Sequence, residues 1–255
     1  MNARRLAPVL ACLLALAGLP AHAADAGAGH VPADWPHVHE DDHPFGYVLL
    51  DRFEYRDDEG PNHLLWDAQG WYGGDYQRLW FKTEGESPIS DSNGEFEGQL
   101  LYGRLVAPYW DLQAGVRYDR AFGSGPDRDR VFGVLGVQGT APYRFETDLA
   151  LFVSEDGDVS ARVEWEYELL LTQRLVLQPR VEINAAAQRV KAWGVGSGLN
   201  DVQLGLRLRY EIRREVAPYV GVEWVRKLGD TADLARTDGG EVSAPALVAG
   251  VRLWF

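Results

Sequence analysis

From about residue 46 to the C-terminus, apolar and polar side chains alternate with a period of two. The clearest run is DVSARVEWEYELLL, residues 158–171. Val159, Ala161, Val163, Trp165, Tyr167, Leu169 and Leu171 fall on one face; Ser160, Arg162, Glu164, Glu166 and Glu168 fall on the other. Period-two alternation is the signature of a β-strand whose two faces meet different surroundings. Leu175, Leu177, Val181 and Ile183 continue the pattern against Arg174, Gln178, Arg180, Glu182 and Asn184, and 201–213 repeats it. Between the first two runs only Thr172 and Gln173 intervene, which predicts a two-residue hairpin.

Strands of soluble proteins usually run about five or six residues. These run longer, near the nine to eleven that a tilted strand needs to cross a bilayer. Counting along the chain predicts strands at 46–56, 63–73, 76–85, 94–106, 109–119, 130–140, 143–153, 158–171, 174–188, 200–213, 216–227 and 244–255. That is about twelve, and single-chain bacterial barrels have an even number. Connections alternate between tight ones, such as Gly74-Asp75 and Ala107-Pro108, and longer polar ones, such as RAFGSGPDRD and LGDTADLARTDGGEV. Short turns on one rim and long loops on the other mark an outer-membrane barrel, with the short turns in the periplasm. The predicted fold is therefore an all-β, antiparallel transmembrane β-barrel of about twelve strands.

The stretch HLLWDAQGWYGGDYQRLWFK, residues 63–82, fits neither a soluble core nor a soluble surface. On a barrel it resolves. Trp66, Ala68, Tyr72, Leu79 and Phe81 turn to lipid; Asp67, Gln69, Trp71, Arg78, Trp80 and Lys82 turn to the lumen. The chain closes on GVRLWF, with Val251, Leu253 and Phe255 on one face.

Residues 1–23 read as a signal peptide: Arg4 and Arg5, an apolar run, then Ala21-His22-Ala23. The only cysteine, Cys12, lies inside it, so the mature chain is expected to have no disulfide. Formal charge is −13, and removal of Arg4 and Arg5 takes it to −15, which argues against nucleic acid as a partner. Residues 24–45 form an acidic leader without Lys or Arg, without strand or helix period, and with three prolines; it is expected to be disordered. Residues 46–255 are the expected barrel.

The blocks LLWDAQGWYGGDYQRLWFKTEGE and LLYGRLVAPYWDLQAGVRYD resemble the copper resistance protein B family of outer-membrane proteins. The likeness extends through ALFVSEDGDVSARVEWEYELLLTQRLVLQPRVEINAAAQ and GVGSGLNDVQLGLRLRYEIRREVAPYVGVEWVR, essentially residues 46–255. It implies an outer-membrane barrel in copper sequestration or efflux, with copper ions, membrane lipid and periplasmic copper-handling proteins as partners. Family leaders are often rich in Met and His; this one has no Met beyond Met1.

Four leader histidines, His30, His37, His39 and His43, flank Glu40, Asp41 and Asp42, and HVHEDDH offers imidazole and carboxylate donors at close spacing. Nitrogen and oxygen donors suit copper(II) better than copper(I). These seven residues are the expected metal ligands, for copper that is not tightly bound, on the periplasmic side. A solvated tail without a specific ion is the alternative. His63 reads as a residue at a loop end. Lumen carboxylates such as Asp67, Glu84, Glu97 and Glu164 read mainly as partners of neighbouring Arg and Lys, with a cation path as the other reading. No G-x-S-x-G elbow is present and His63 is the only barrel histidine, so no enzyme is expected. A passive small-solute porin and a purely structural barrel are the rival functions; a lumen of about twelve strands can be largely filled by side chains.

Overall fold

The computed structural model describes residues 44–57, 62–89, 93–123 and 127–255. The signal peptide and the seven expected metal ligands lie outside the described residues. The strands are β1 (Phe45–Asp57), β2 (His63–Gly73), β3 (Gln77–Pro88), β4 (Gly94–Ala107), β5 (Trp110–Phe122), β6 (Arg128–Ala141), β7 (Phe145–Ser154), β8 (Val159–Tyr167), β9 (Leu169–Leu170), β10 (Leu175–Ala186), β11 (Gly198–Tyr210), β12 (Val216–Lys227) and β13 (Ser243–Trp254). Each pairs antiparallel with its sequence neighbours, β9 prolonging β8 along β10. The pairings β10–β11 and β13–β1 close the sheet into a twelve-stave barrel.

The expected strands are present, with shifts at their ends. The stretch 158–171 is broken at Glu168 into β8 and β9. Both pieces keep one register on β10, and the Glu168 side chain accepts hydrogen bonds from Arg209 (2.6 Å) and Arg252 (2.8 Å), which approach from different strands. The connection to β10 is wider than a two-residue hairpin: the Leu171 and Thr172 amides both donate to the Leu175 carbonyl, and Thr172 Oγ1 accepts the Leu175 amide. The strand expected at 143 starts at Phe145, after a single 3₁₀ turn at Pro142–Arg144.

One element is new. The long loop before β13 contains helix α1 (Gly229–Thr237). Its Thr231 Oγ1 accepts hydrogen bonds from the Gly196 amide (2.9 Å) and from Asn200 Nδ2 (2.8 Å). A Cβ on Gly196 would sit 2.3 Å from the Thr231 nitrogen, so glycine is required for this docking. The helix forms because it has a neighbour to pack against, which short polar segments otherwise lack.

Short connections (74–76, 108–109, 142–144, 171–174, 211–215) lie at one end, with Phe45 and Phe255; long ones lie at the other. In two short turns the backbone forces Tyr109 (φ 67°), Tyr143 (φ 68°) and Arg144 (φ 66°) into the left-handed region. Glycine or asparagine is cheaper there. Keeping tyrosine places two exposed rings at the membrane–water boundary, where amphipathic rings are favoured. Leu79, Phe81, Leu100, Leu204, Val222 and Leu247 are all exposed on the outer wall, an apolar surface that only lipid covers. No helix of the described residues is long and apolar enough to cross a membrane; the strands do so instead.

This assigns a depth to each residue of β11. Leu204→Arg, near the middle of the strand, is expected to destabilise the barrel by about 2–4 kcal/mol, and Leu199→Arg, near the long-loop rim, by about 0–1 kcal/mol. Urea titration of the refolded barrel in lipid vesicles checks the difference; equal costs contradict the assigned depth.

Candidate functional site

The chemistry of the molecule is concentrated in the lumen. Inward positions follow the strand period except at bulges: on β1 Asp51 and Arg52 both turn inward, and on β11 Asn200 and Asp201 both line the lumen. Asp51 pairs with Arg252 at 2.8 Å. Arg52 reaches Asp67 (2.8 Å) and Glu84 (3.0 Å).

Strand register lines up carboxylates in two arcs. Asp67, Glu84, Glu97 and Asp119 are direct cross-strand neighbours on β2, β3, β4 and β5. On the far wall Asp148, Glu164 and Glu182 are neighbours on β7, β8 and β10. Like charges directly opposite destabilise a sheet, so the arcs need cations between them. Arg52 spans Asp67 and Glu84; Arg117 spans Glu97 (2.8 Å) and Asp119 (2.6 Å). Arg180 binds Glu164 (2.6 Å) and Glu182 (2.5 Å). Lys82 crosses from β3 to Asp148. Arg162 crosses from β8 to Glu97 (2.9 Å) and Glu84 (3.3 Å).

A third group fills the side formed by β1, β11, β12 and β13. Glu54, with no exposed surface, accepts both a 3.0 Å bond from Arg207 Nε and a 2.9 Å bond from Arg207 Nη2, and a third at 3.0 Å from Tyr219 Oη. Arg207 and Arg56 both donate to Glu223, at 3.0 and 2.9 Å. Charge-assisted, bidentate bonds of this kind are what make a buried arginine–carboxylate cluster tenable. Space remains elsewhere in the lumen. A cavity of about 600 Å³ opens toward the short-turn rim at Pro108 and Tyr109. A second, of about 420 Å³, opens toward the long loops at Gln188 and Trp193. The loop 187–197 reaches over this second mouth, held by Arg128, which donates to the Ala192 carbonyl and lies 5.5 Å over the Trp193 ring.

The inward and outward assignments made for 63–82 hold. Trp71 and Trp80 pack on each other inside at 6.3 Å, and Arg78 lies 4.4 Å over Trp71. Trp66 lies outside, over Gly85, where a Cβ would collide with the indole. His63 is at the start of β2 as expected, with Nδ1 2.6 Å from Glu86 Oε1. Among the described residues, no group of three or more His, Cys, Asp or Glu side chains is arranged to hold a metal ion. Lumen carboxylates were legible as arginine partners. The arcs were not, nor the role of Arg52, Arg162 and Arg207 as struts, because both depend on register between strands.

Residues 44–255 match the family model described as copper resistance protein B precursor (CopB). The chain is 46% identical over 211 residues to copper resistance protein B of Escherichia coli, spanning 82% of this chain and 69% of that protein. It is 41% identical over 209 residues to a copper resistance protein B homolog of Pseudomonas syringae pv. tomato, with the same shares covered, 82% and 69%. Among solved structures, the NanC porin superposes with a TM-score of 0.53 at 11% identity, over 81% of this chain and 98% of the porin. That likeness concerns the barrel fold alone.

The Glu54 cluster yields a stability prediction. Arg207→Met leaves Glu54 and Glu223 buried without their shared cation and is expected to cost about 3–5 kcal/mol. Adding Glu54→Gln is expected to restore part of the loss. Denaturant unfolding of both variants measures this; a double variant less stable than Arg207→Met contradicts the pairing.

Proposed function

The chain belongs to the copper resistance protein B family, and on that premise we propose that it binds copper ions at the periplasmic face of the outer membrane and takes part in their sequestration or efflux. The family is one of copper resistance and not an enzyme family. Its barrel lies in the outer membrane.

The proposed first contact is the leader, with His30, His37, His39 and His43 as imidazole donors and Glu40, Asp41 and Asp42 as carboxylate donors. Such donors favour copper(II) over copper(I), and without thiolate or thioether they hold it loosely. One observation carries the reading: β1 begins at Phe45, two residues after His43, at the end that bears the short turns. The leader therefore joins the barrel at its periplasmic rim. Phe45 packs edge-on against Trp71 at 5.4 Å, and Trp71 packs on Trp80, which lines the cavity at that end. The acidic leader raises the local concentration of cations and also favours protonated imidazole, so binding weakens as pH falls. Periplasmic copper-handling proteins are the proposed donors or acceptors.

A passive small-solute porin fits less well, because Arg162 and Lys82 cross the lumen from wall to wall. Calorimetric titration with copper(II) is the test. The mature chain is expected to release or absorb heat on binding, and a form beginning at Phe45 is expected to lose that signal. Retention of full binding by the shortened form overturns the ligand assignment. In a deletion strain, failure of the full chain to restore growth on copper overturns the functional reading.

A further inference from the structure

We propose that the lumen is a path for small cations, interrupted at one level by the side chain of Arg162. The inference concerns hydrated cations in general and does not rest on the copper reading.

The two cavities carry it. One reaches the short-turn rim and the other the long-loop rim. Four residues line both: Glu84, Glu97, Phe152 and Arg162. Glu84 and Glu97 are neighbours on β3 and β4, whereas Arg162 comes from β8 on the facing wall. Its Nη1 lies 3.3 Å from Glu84 Oε2 and from Glu97 Oε1, and its Nη2 lies 2.9 Å from Glu97 Oε2. Nε donates to Asn184 Oδ1 at 3.3 Å, and the guanidinium sits 5.8 Å over the Phe152 ring. A planar fork fixed on both sides is a strut across the opening between the cavities.

The strut differs from its neighbours in reach. Arg52, Arg117 and Arg180 bind carboxylates on their own or nearby strands, and remain against the wall. Lys82 also crosses the lumen, to Asp148, but it lines the periplasmic cavity alone. Withdrawal of Arg162 therefore joins the cavities, and withdrawal of Lys82 does not. The joined space has a sign. Removing Arg162 leaves Glu84, Glu97 and the nearby Glu182 with one positive charge fewer. Each cavity also presents a carboxylate with no ion-pair partner among the described residues: Glu146 on the periplasmic side and Glu95 on the external side. A low-dielectric channel lined with surplus acid concentrates cations and repels anions.

The test is conductance of the full mature chain, refolded and inserted into planar lipid bilayers under a potassium chloride gradient. Wild type and Lys82→Ala are expected to give the same low conductance. Arg162→Ala is expected to conduct several-fold more, with a reversal potential on the potassium side. Arg162→Gln retains a hydrogen-bonding amide without the charge, and serves if the alanine variant fails to fold; it is expected to conduct cations as well. The proposal is overturned if the folded Arg162 variants conduct no more than wild type, if Lys82→Ala opens the barrel equally, or if the new conductance prefers chloride.

Discussion

Hydrocarbon offers no hydrogen-bond partner, and this constraint governs the whole molecule. Every backbone N–H and C=O at membrane depth has to find its partner in another strand. A flat sheet of twelve staves would leave two open edges in lipid. Closure of β10 onto β11 and of β13 onto β1 removes them. Closure in turn creates an inside, and alternation along each strand delivers polar side chains to it. The outer wall of Leu, Val and Phe and the charged interior are two consequences of one requirement.

The interior then raises its own problem, because charges brought away from water are costly unless paired. The acidic arcs on β2–β5 and on β7, β8 and β10 would repel themselves apart without the arginines set between them. On the β1 and β11–β13 side the pairing is dense, and Glu54, Arg207, Tyr219 and Glu223 pack the lumen solid. Two cavities remain: one near the short turns, lined by β1 to β8, and one near the long loops, lined by residues from β1 through β12. The barrel is therefore braced by the Glu54–Arg207 cluster and hollow toward either rim, with Arg162 holding the two cavities apart.

Most of the fold was legible because each strand carries its own signal. Alternation over Val159–Tyr167 or Val202–Tyr210 needs no knowledge of the partner strand. What lay hidden has a non-local cause. Alternation runs unbroken through Glu168, while the ladder is interrupted there beside Pro179 of β10, which has no N–H to donate. Asp230–Thr237 reads as polar loop, and its helix depends on a contact with Gly196. Arg207 and Glu54 lie 153 positions apart, so their pairing follows from register and closure together. The candidate copper ligands are the converse case: their chemistry is plain in HVHEDDH, while the described residues begin just beyond it.

The central claim is that one ribbon separates lipid from an enclosed polar interior. Spin labels on single cysteines, substituted in turn at 159–167 along β8, test it in lipid vesicles with a chain of residues 24–255, which contain no cysteine of their own. Collision with dissolved oxygen, which concentrates in lipid, is expected to oscillate with a period of two, with maxima at 161, 163 and 165 and minima at 160, 162, 164 and 166. Uniform collision rates along the strand, or maxima on the Arg162 and Glu164 face, contradict the account.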